Sequence, residues 1–528
     1  MPGSAHYTEH KTPVLLTLLL AMATFMQVLD LTIANVSLPA ITGDLGAATS
    51  QGAWVITSYA VANAITVPLT GWLSDRYGQA RMFTIATALF TLASLLCGLS
   101  WTLPMLISAR VVQGAMAGFM VPLSQALLLG NYPPEKRGMA LAIWGMTVVV
   151  APIVGPLLGG WITDNAHWSW IFYINLPIGT IAAFGTWQLL KDRETPLRRR
   201  PLDRIGLALL VIWVGCLQVL LDKGNELDWL NSNFIVALAV IVVVSFSLFL
   251  VWELTDAHPI VDLELFRHRN FGMSALALSL AYGVFLGTMV IQSLWLQTQM
   301  GYTAQWAGYA LAPVGIFAVL LAPLIGRGLQ HIDPRRFATT AFIVFAVCFF
   351  WRTQFNTSAD FVTIALPQLL QGVAVAMFFA PLVSINVGGI PPERMASATG
   401  TQNFLRTMCG SFGTSLAIAL WTRRESLHRA QLAEHINVYS PQSSVFSARL
   451  DATGMPPDQV NAVLDRLLSG QANMLATNDV FWLCGWLLLA LIPVIWLARP
   501  PFGRPGPAAD QGPASAAASP APAAGPAR

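Results

Sequence analysis

Fourteen stretches of roughly twenty mainly apolar residues follow one another along this chain, a pattern that calls for a bilayer. A helix of ~20 residues covers ~30 Å of hydrocarbon. Lipid offers no partner to backbone N–H and C=O groups, so each stretch must bond within itself and reads as a membrane-crossing helix. The approximate limits are 14–37, 54–73, 82–100, 104–130, 139–162, 170–190, 204–222, 233–253, 271–297, 306–326, 337–355, 361–386, 403–422 and 479–498. Charged residues supply only 10% of the chain, against about 25% in a soluble domain. Lys11, the apolar run 14–20 and Ala21-Met22-Ala23 imitate a signal peptide. The apolar pattern continues to about Val36, so the segment is read as the first span.

Basic residues should concentrate in alternate, cytoplasmic loops. With the N-terminus inside, 21 of the 29 Lys and Arg residues fall on that side. The short outer loops hold only Lys223 and Arg352, five arginines lie in the long connection after span 13, and Arg110 sits within span 4. The expected organisation is a cytoplasmic N-terminus (1–13), a six-helix half (14–197), two inserted helices (198–256) and a second six-helix half (257–499) with an outer loop at 423–478. The Pro/Ala/Gly-rich stretch 500–528 reads as a disordered cytoplasmic tail.

Two halves are expected because the chain resembles itself. Gln113-Gly114 is followed by Pro133-Pro134-Glu135, and Gln371-Gly372 by Pro391-Pro392-Glu393, both at an offset of 258. An eight-span shift keeps the orientation in the membrane, so spans 1–6 match spans 9–14. Parallel repeats of this kind build secondary transporters, with the substrate site near the midplane between them.

Asp30 lies inside span 1, where a charge costs at least ~2.5–3.5 kcal/mol and must face a cavity or a partner. It is the first candidate for proton binding, with a structural carboxylate as the alternative. Gln27 and Thr24 extend a polar arc on the same helix face. Arg110 reads as the only basic residue buried in a span, with Gln113 a turn away. The offset puts Gln368 opposite Arg110 and Thr288 opposite Asp30, so coupling should reside in the first half. A purely structural Arg110 stays open. In span 5, Gly155 and Gly159 permit close helix packing and Pro152 and Pro156 permit a bend. The inner loop at 71–81 holds Gly71, Asp75, Arg76, Gly78 and Arg81, whose charges could latch one conformation or merely anchor topology. Phe25, Met26, Trp144, Met146, Phe378 and Phe379 are cavity candidates by side-chain type, as are Gln27 and Gln113. Lipid-facing packing competes for each of the aromatic and methionine positions.

Cys97, Cys216, Cys348, Cys409 and Cys484 are isolated in apolar stretches, so neither a disulfide nor a metal site is expected. The chain has no nucleotide loop, no His-Glu-x-x-His and no convincing Ser/His/Asp set, which points away from an enzyme and from any cofactor. No basic stripe with interleaved aromatics suggests nucleic acid.

The residues 29–39 (Leu-Asp-Leu-Thr-Ile-Ala-Asn-Val-Ser-Leu-Pro), the 71–81 loop, Arg110 with Gln113-Gly114 and the glycine/proline run of span 5 resemble the major facilitator superfamily, specifically its fourteen-helix drug:proton antiporters. Residues 170–179 and the run from His258 to Leu263 extend the resemblance. Residues 23–30 and 54–58 look most like EmrB-type exporters of Gram-negative bacteria. The resemblance implies an all-α integral membrane protein with the major facilitator fold in the bacterial inner membrane, both termini cytoplasmic. It also implies proton-driven export of hydrophobic or amphipathic molecules, with a periplasmic adaptor of the EmrA type and an outer-membrane channel of the TolC type. Gln79-Ala80 departs from the family's inner-loop pattern, where a basic residue is common. A proton-coupled importer or facilitator, and a non-transporting scaffold, are the rival readings.

Overall fold

The computed structural model describes residues 13–47, 49–192, 194, 197, 201, 203–256, 259–434 and 456–500. The N-terminal segment before residue 13, His258, the middle of the long outer loop and the tail beyond residue 500 lie outside the described residues. Among the described residues every regular element is helical. The first half comprises α1 (Pro13–Asp44), α2 (Thr49–Thr66), α3 (Thr70–Tyr77), α4 (Gln79–Gly98), α5 (Leu103–Asn131), α6 (Pro134–Asn165), α7 (Trp170–Tyr173) and α8 (Asn175–Leu190). The inserted pair is α9 (Arg204–Lys223) and α10 (Asn233–Thr255). The second half comprises α11 (Arg269–Thr298), α12 (Ala304–Leu311), α13 (Pro313–Gly328), α14 (Pro334–Arg352), α15 (Phe361–Ala376), α16 (Phe379–Asn386), α17 (Met395–Glu434) and α18 (Pro457–Trp496).

Each of the fourteen expected spans coincides with a helix or a run of broken helices. Ten are long and apolar enough to cross a membrane as they stand, eleven with α6, which bends by 42° between Pro152 and Val154. That bend falls where a proline removes one rung of the hydrogen-bond ladder. The other three segments, α2–α3, α7–α8 and α17, fall short because they are interrupted or carry polar residues. The fourteen-helix count is consistent with these ten or eleven spans. A 3-10 turn at Val67–Leu69, with Pro68 inside it, divides α2 from α3.

Packing partners recur between the halves. Helix α1 packs on α6 and α8, α5 on α2 and α4, and α4 on α8; likewise α11 packs on α17 and α18, α15 on α13 and α14, and α14 on α18. The inserted α9 and α10 pack on each other, and α9 also touches α2 and α17, so the pair flanks the junction between the halves. Helices α17 and α18 run beyond the expected membrane limits to Glu434 and from Pro457. Much of the connection at 423–478 is therefore helix rather than loop, tied by Arg429 to Asp465 at 2.5 Å and by His428 to Asp479 at 2.8 Å.

Close approach explains the span-5 glycines. A Cβ on Gly155 would lie 2.1 Å from Thr32 Oγ1, and one on Gly159 would lie 2.9 Å from the Ile33 carbonyl oxygen. The Ile33 backbone cannot yield at Gly159, and at Gly155 the Cβ would meet the stiff, β-branched Thr32 side chain with the Ile33 amide nitrogen 3.3 Å away, so the α1–α6 contact depends on both positions. Gly155→Val is expected to destabilise the purified protein by about 1–3 kcal/mol, the usual cost of overpacking. A thermal-unfolding midpoint equal to that of the native protein would count against this packing.

Candidate functional site

Asp30, at the middle of α1, and Arg110, in α5, are both fully buried and form an ion pair through Arg110 Nη1 and Asp30 Oδ2. Neither charge would survive in hydrocarbon alone, and the surrounding donors and acceptors make the pair tenable. Gln113 Nε2 and Asn175 Nδ2 donate to Asp30 Oδ1 at 3.0 and 2.9 Å. Arg110 Nη1 donates to Gln113 Oε1 at 2.8 Å, and Arg110 Nε to the Val55 carbonyl at 3.1 Å. Ser94 Oγ accepts from Gln113 and Asn175 and donates a hydrogen bond to the Phe172 carbonyl at 2.9 Å. The guanidinium also sits 4.1 Å from the centre of the Tyr59 ring. Residues of six helices, α1, α2, α4, α5, α7 and α8, therefore meet in one network around the carboxylate. Arg110 Nη2 and Asn175 Oδ1 have no hydrogen-bond partner, so the network is not saturated.

A cavity of about 540 Å³ lies beside this network, between the halves. That volume suits a drug-sized ligand. Its wall includes Gln27 and Asn35 of α1, Thr57 and Asn63 of α2, Gly118 of α5, Asp222 of α9, Tyr282 of α11 and Arg406 of α17. Gln27 Nε2 lies 3.4 Å from Tyr59 Oη, and Tyr59 Oη donates to the Gln27 carbonyl at 3.3 Å. Gln27 and Tyr59 thus bridge the cavity to the face of Arg110. At the end bearing the 71–81 loop the halves touch. Thr399 Oγ1 donates to the Pro122 carbonyl at 3.1 Å and Asn403 Nδ2 to Gln125 Oε1 at 2.5 Å. The cavity stops at these contacts and runs toward the opposite end, past Asn35, Val290 and Ile418.

The Major Facilitator Superfamily model matches residues 20–414. The chain belongs to this superfamily. It is 53% identical over 491 residues to the multidrug export protein EmrB of Haemophilus influenzae, covering 93% of this chain and 96% of that one. It is 49% identical over 490 residues to the fatty acid resistance protein FarB of Neisseria gonorrhoeae, covering 93% and 97%. At such identity it belongs to the EmrB-type branch, a group of multi-pass membrane transporters and not of enzymes. Among solved structures, the proton:xylose symporter XylE superposes with a TM-score of 0.56 at 13% identity, covering 92% of this chain and 95% of that one. That likeness speaks to the fold.

Within this superfamily fold the expected site residues separate into groups. Asp30, Arg110 and Gln113 meet as described, and Gln27 reaches the cavity. Gln113 is spent within the network and does not line the cavity. Thr24 leaves the anticipated arc: its hydroxyl and that of Ser124 hold the Trp144 indole Nε1 at 3.0 and 2.9 Å. Trp144 is thereby pinned in the core, Met26 and Phe378 are core residues too, and Phe25 packs against Val28, Leu29 and Ala151. Met146 and Phe379 border only a gap of about 10 Å³ between α6 and the second half. None of these six lines the large cavity.

Two arginine placements differ from the sequence expectation. Arg352 is 1% exposed, not looped out, and donates to Gln371. Arg406, counted by the sequence among the 21 basic residues of the cytoplasmic side, is 6% exposed on the cavity wall instead. Arg110 is therefore not the only buried arginine of the spans. The uncharged counterpart of its pair is Gln368 Nε2 to Gln292 Oε1 at 2.8 Å, one helical turn beyond Thr288, which bonds its own helix carbonyls.

At the 71–81 loop, a Cβ on Gly71 would lie 3.1 Å from Ser397 Cα, a direct contact between halves. Gly78 has φ +90°, which favours glycine. Arg76 lies over the Trp72 and Tyr77 rings at 5.3 and 5.9 Å, and Asp75 lies in α3. Glu194, beyond α8, accepts from the Ala80 and Arg81 amides at 3.1 and 2.9 Å, capping α4 where the helix dipole favours an anion. Sequence reasoning missed Glu194, Ser94, Asn175, Tyr59 and Asp222; an Asn or Asp near an apolar run was the available signal for two of them.

Proposed function

We propose that this chain is a proton-coupled antiporter exporting hydrophobic or amphipathic small molecules, including drugs, by alternating access. The observation that carries this reading is the buried Asp30–Arg110 network set one side chain away from a cavity between two repeats. The names of the relatives, multidrug export and fatty acid resistance, support cargo of this class. The basic 71–81 end is read as cytoplasmic, with both termini on that side of a bacterial inner membrane, so the cavity faces outward. A proton arriving from outside would neutralise Asp30 and release Arg110 from its counter-ion. Leaving a buried cation unpaired costs about 3–5 kcal/mol, enough to favour a rearrangement in which Arg110 finds other partners. Proton entry down a 100 mV potential supplies about 2.3 kcal/mol per charge. Helical extensions of α17 and α18 beyond the outer ends of the spans would suit docking of a periplasmic EmrA-type adaptor leading to a TolC-type channel. The cycle needs no cofactor beyond the proton gradient.

Proton movement in proteoliposomes tests the coupling. Adding an amphipathic substrate should release protons with the native protein and release none with Asp30→Asn. Release that persists in Asp30→Asn would remove Asp30 from the coupling site, and release from neither would favour a facilitator or a scaffold.

A further inference from the structure

Every other charge in or beside the large cavity has a partner. Asp30 and Arg110 hold each other, Asp222 accepts from Thr57, and Glu226 meets Lys223 at 2.5 Å. Arg406 does not. Its guanidinium forms no hydrogen bond or ion pair among the described residues, and its Nε is buried without any partner. Its neighbours are π faces: the Tyr282 ring centre at 5.0 Å and the Phe379 ring centre at 5.9 Å. Ring faces hold the cation in place, but they offer its N–H groups no acceptor. A buried, unsatisfied guanidinium in the wall of a ligand-sized cavity has room for an acceptor that the protein does not supply.

We propose that Arg406 binds the anionic head of the cargo, and that the cavity therefore selects amphipathic organic anions such as carboxylates and sulfonates. This deepens the export reading and rests on it. The planar guanidinium fork matches such heads by two parallel hydrogen bonds, which a point charge cannot reproduce. Leu286 and Val290 of α11, with Val28 and Leu31 of α1, offer apolar wall for the attached tail. Asp222 sits in the last turn of α9, near the opposite end of the cavity, and its hydrogen bond from Thr57 leaves it less in need of a ligand than Arg406. A cationic cargo would have to pair there while Arg406 stayed unneutralised, so the geometry favours the anion.

Isothermal titration of the purified full chain, with two probes of the same ring and opposite charge, decides the matter. The probes are naphthalene-2-sulfonate and trimethyl(2-naphthyl)ammonium. The native protein should prefer the sulfonate, and Arg406→Gln should weaken it about tenfold or more, with Arg406→Lys recovering only part. The ammonium should bind Arg406→Gln at least as well as it binds the native protein, which also reports a folded cavity. Three outcomes overturn the proposal: no sulfonate preference in the native protein, unchanged sulfonate affinity in Arg406→Gln, or an equal loss of both probes. The titration involves no proton gradient, so its failure leaves the Asp30 coupling experiment standing, and failure of coupling leaves the titration interpretable.

Discussion

Arg110→Gln alone should destabilise the purified protein by about 3–5 kcal/mol, while Asp30→Asn combined with Arg110→Gln should recover most of that loss and still fail to couple. The asymmetry follows from burial. Both side chains are fully excluded from solvent, so removing one leaves the other as an uncompensated charge in a low-dielectric site. Replacing both leaves two amides among Gln113, Asn175 and Ser94, which can exchange hydrogen bonds as neutral groups. Recovery should be incomplete, because Arg110 also donates to the Val55 carbonyl and covers the Tyr59 ring. Thermal unfolding of the native, two single and double variants closes the cycle. Additive losses would mean that the two residues act independently, and the proposed release of Arg110 on protonation would lose its driving force.

The pair itself was legible because a charge inside an apolar run has few explanations. Its surroundings were not, since Ser94 and Asn175 are commonplace residues whose importance comes from where α4 and α8 cross α1 and α5. Helix ends misled the reading of the arginines. Span 13 was expected from residue 403, whereas α17 is already helical at Met395, which carries Arg406 from the supposed membrane border into the cavity wall. Arg352 sits in the last turn of α14, and because α15 packs alongside, its side chain folds inward onto Gln371. Cavity candidates chosen for being aromatic or soft fared worst. In a bundle of small and branched residues, Trp144 and Phe378 are the volumes that fill the core, while the cavity wall mixes polar residues such as Asn63, Asn403 and Thr407 with small and branched apolar ones such as Val28 and Leu286. The repeat, by contrast, was readable from two short matches, because identical loop chemistry is needed wherever the same helix pair turns at the same membrane face.

A disulfide joining positions 71 and 397 should abolish transport, with full recovery on reduction. A Cβ built on Gly71 lies 3.1 Å from Ser397 Cβ, within a small adjustment of the ~3.8 Å that a disulfide requires. The two residues belong to α3 and α17, on opposite halves, at the end where the cavity is shut. Opening that end must separate them, so a covalent link holds the conformation described here. The link adds no bulk to the cavity and leaves the Asp30 network untouched. Binding of an amphipathic probe from the open end should consequently survive in the oxidised Gly71→Cys, Ser397→Cys protein while turnover stops. The single variants, given the same oxidant, separate the bridge from the loss of glycine at 71. Continued substrate-driven proton release by the bridged protein would require the halves to exchange access without parting at α3 and α17, and the rocking motion proposed for this chain would have to pivot elsewhere.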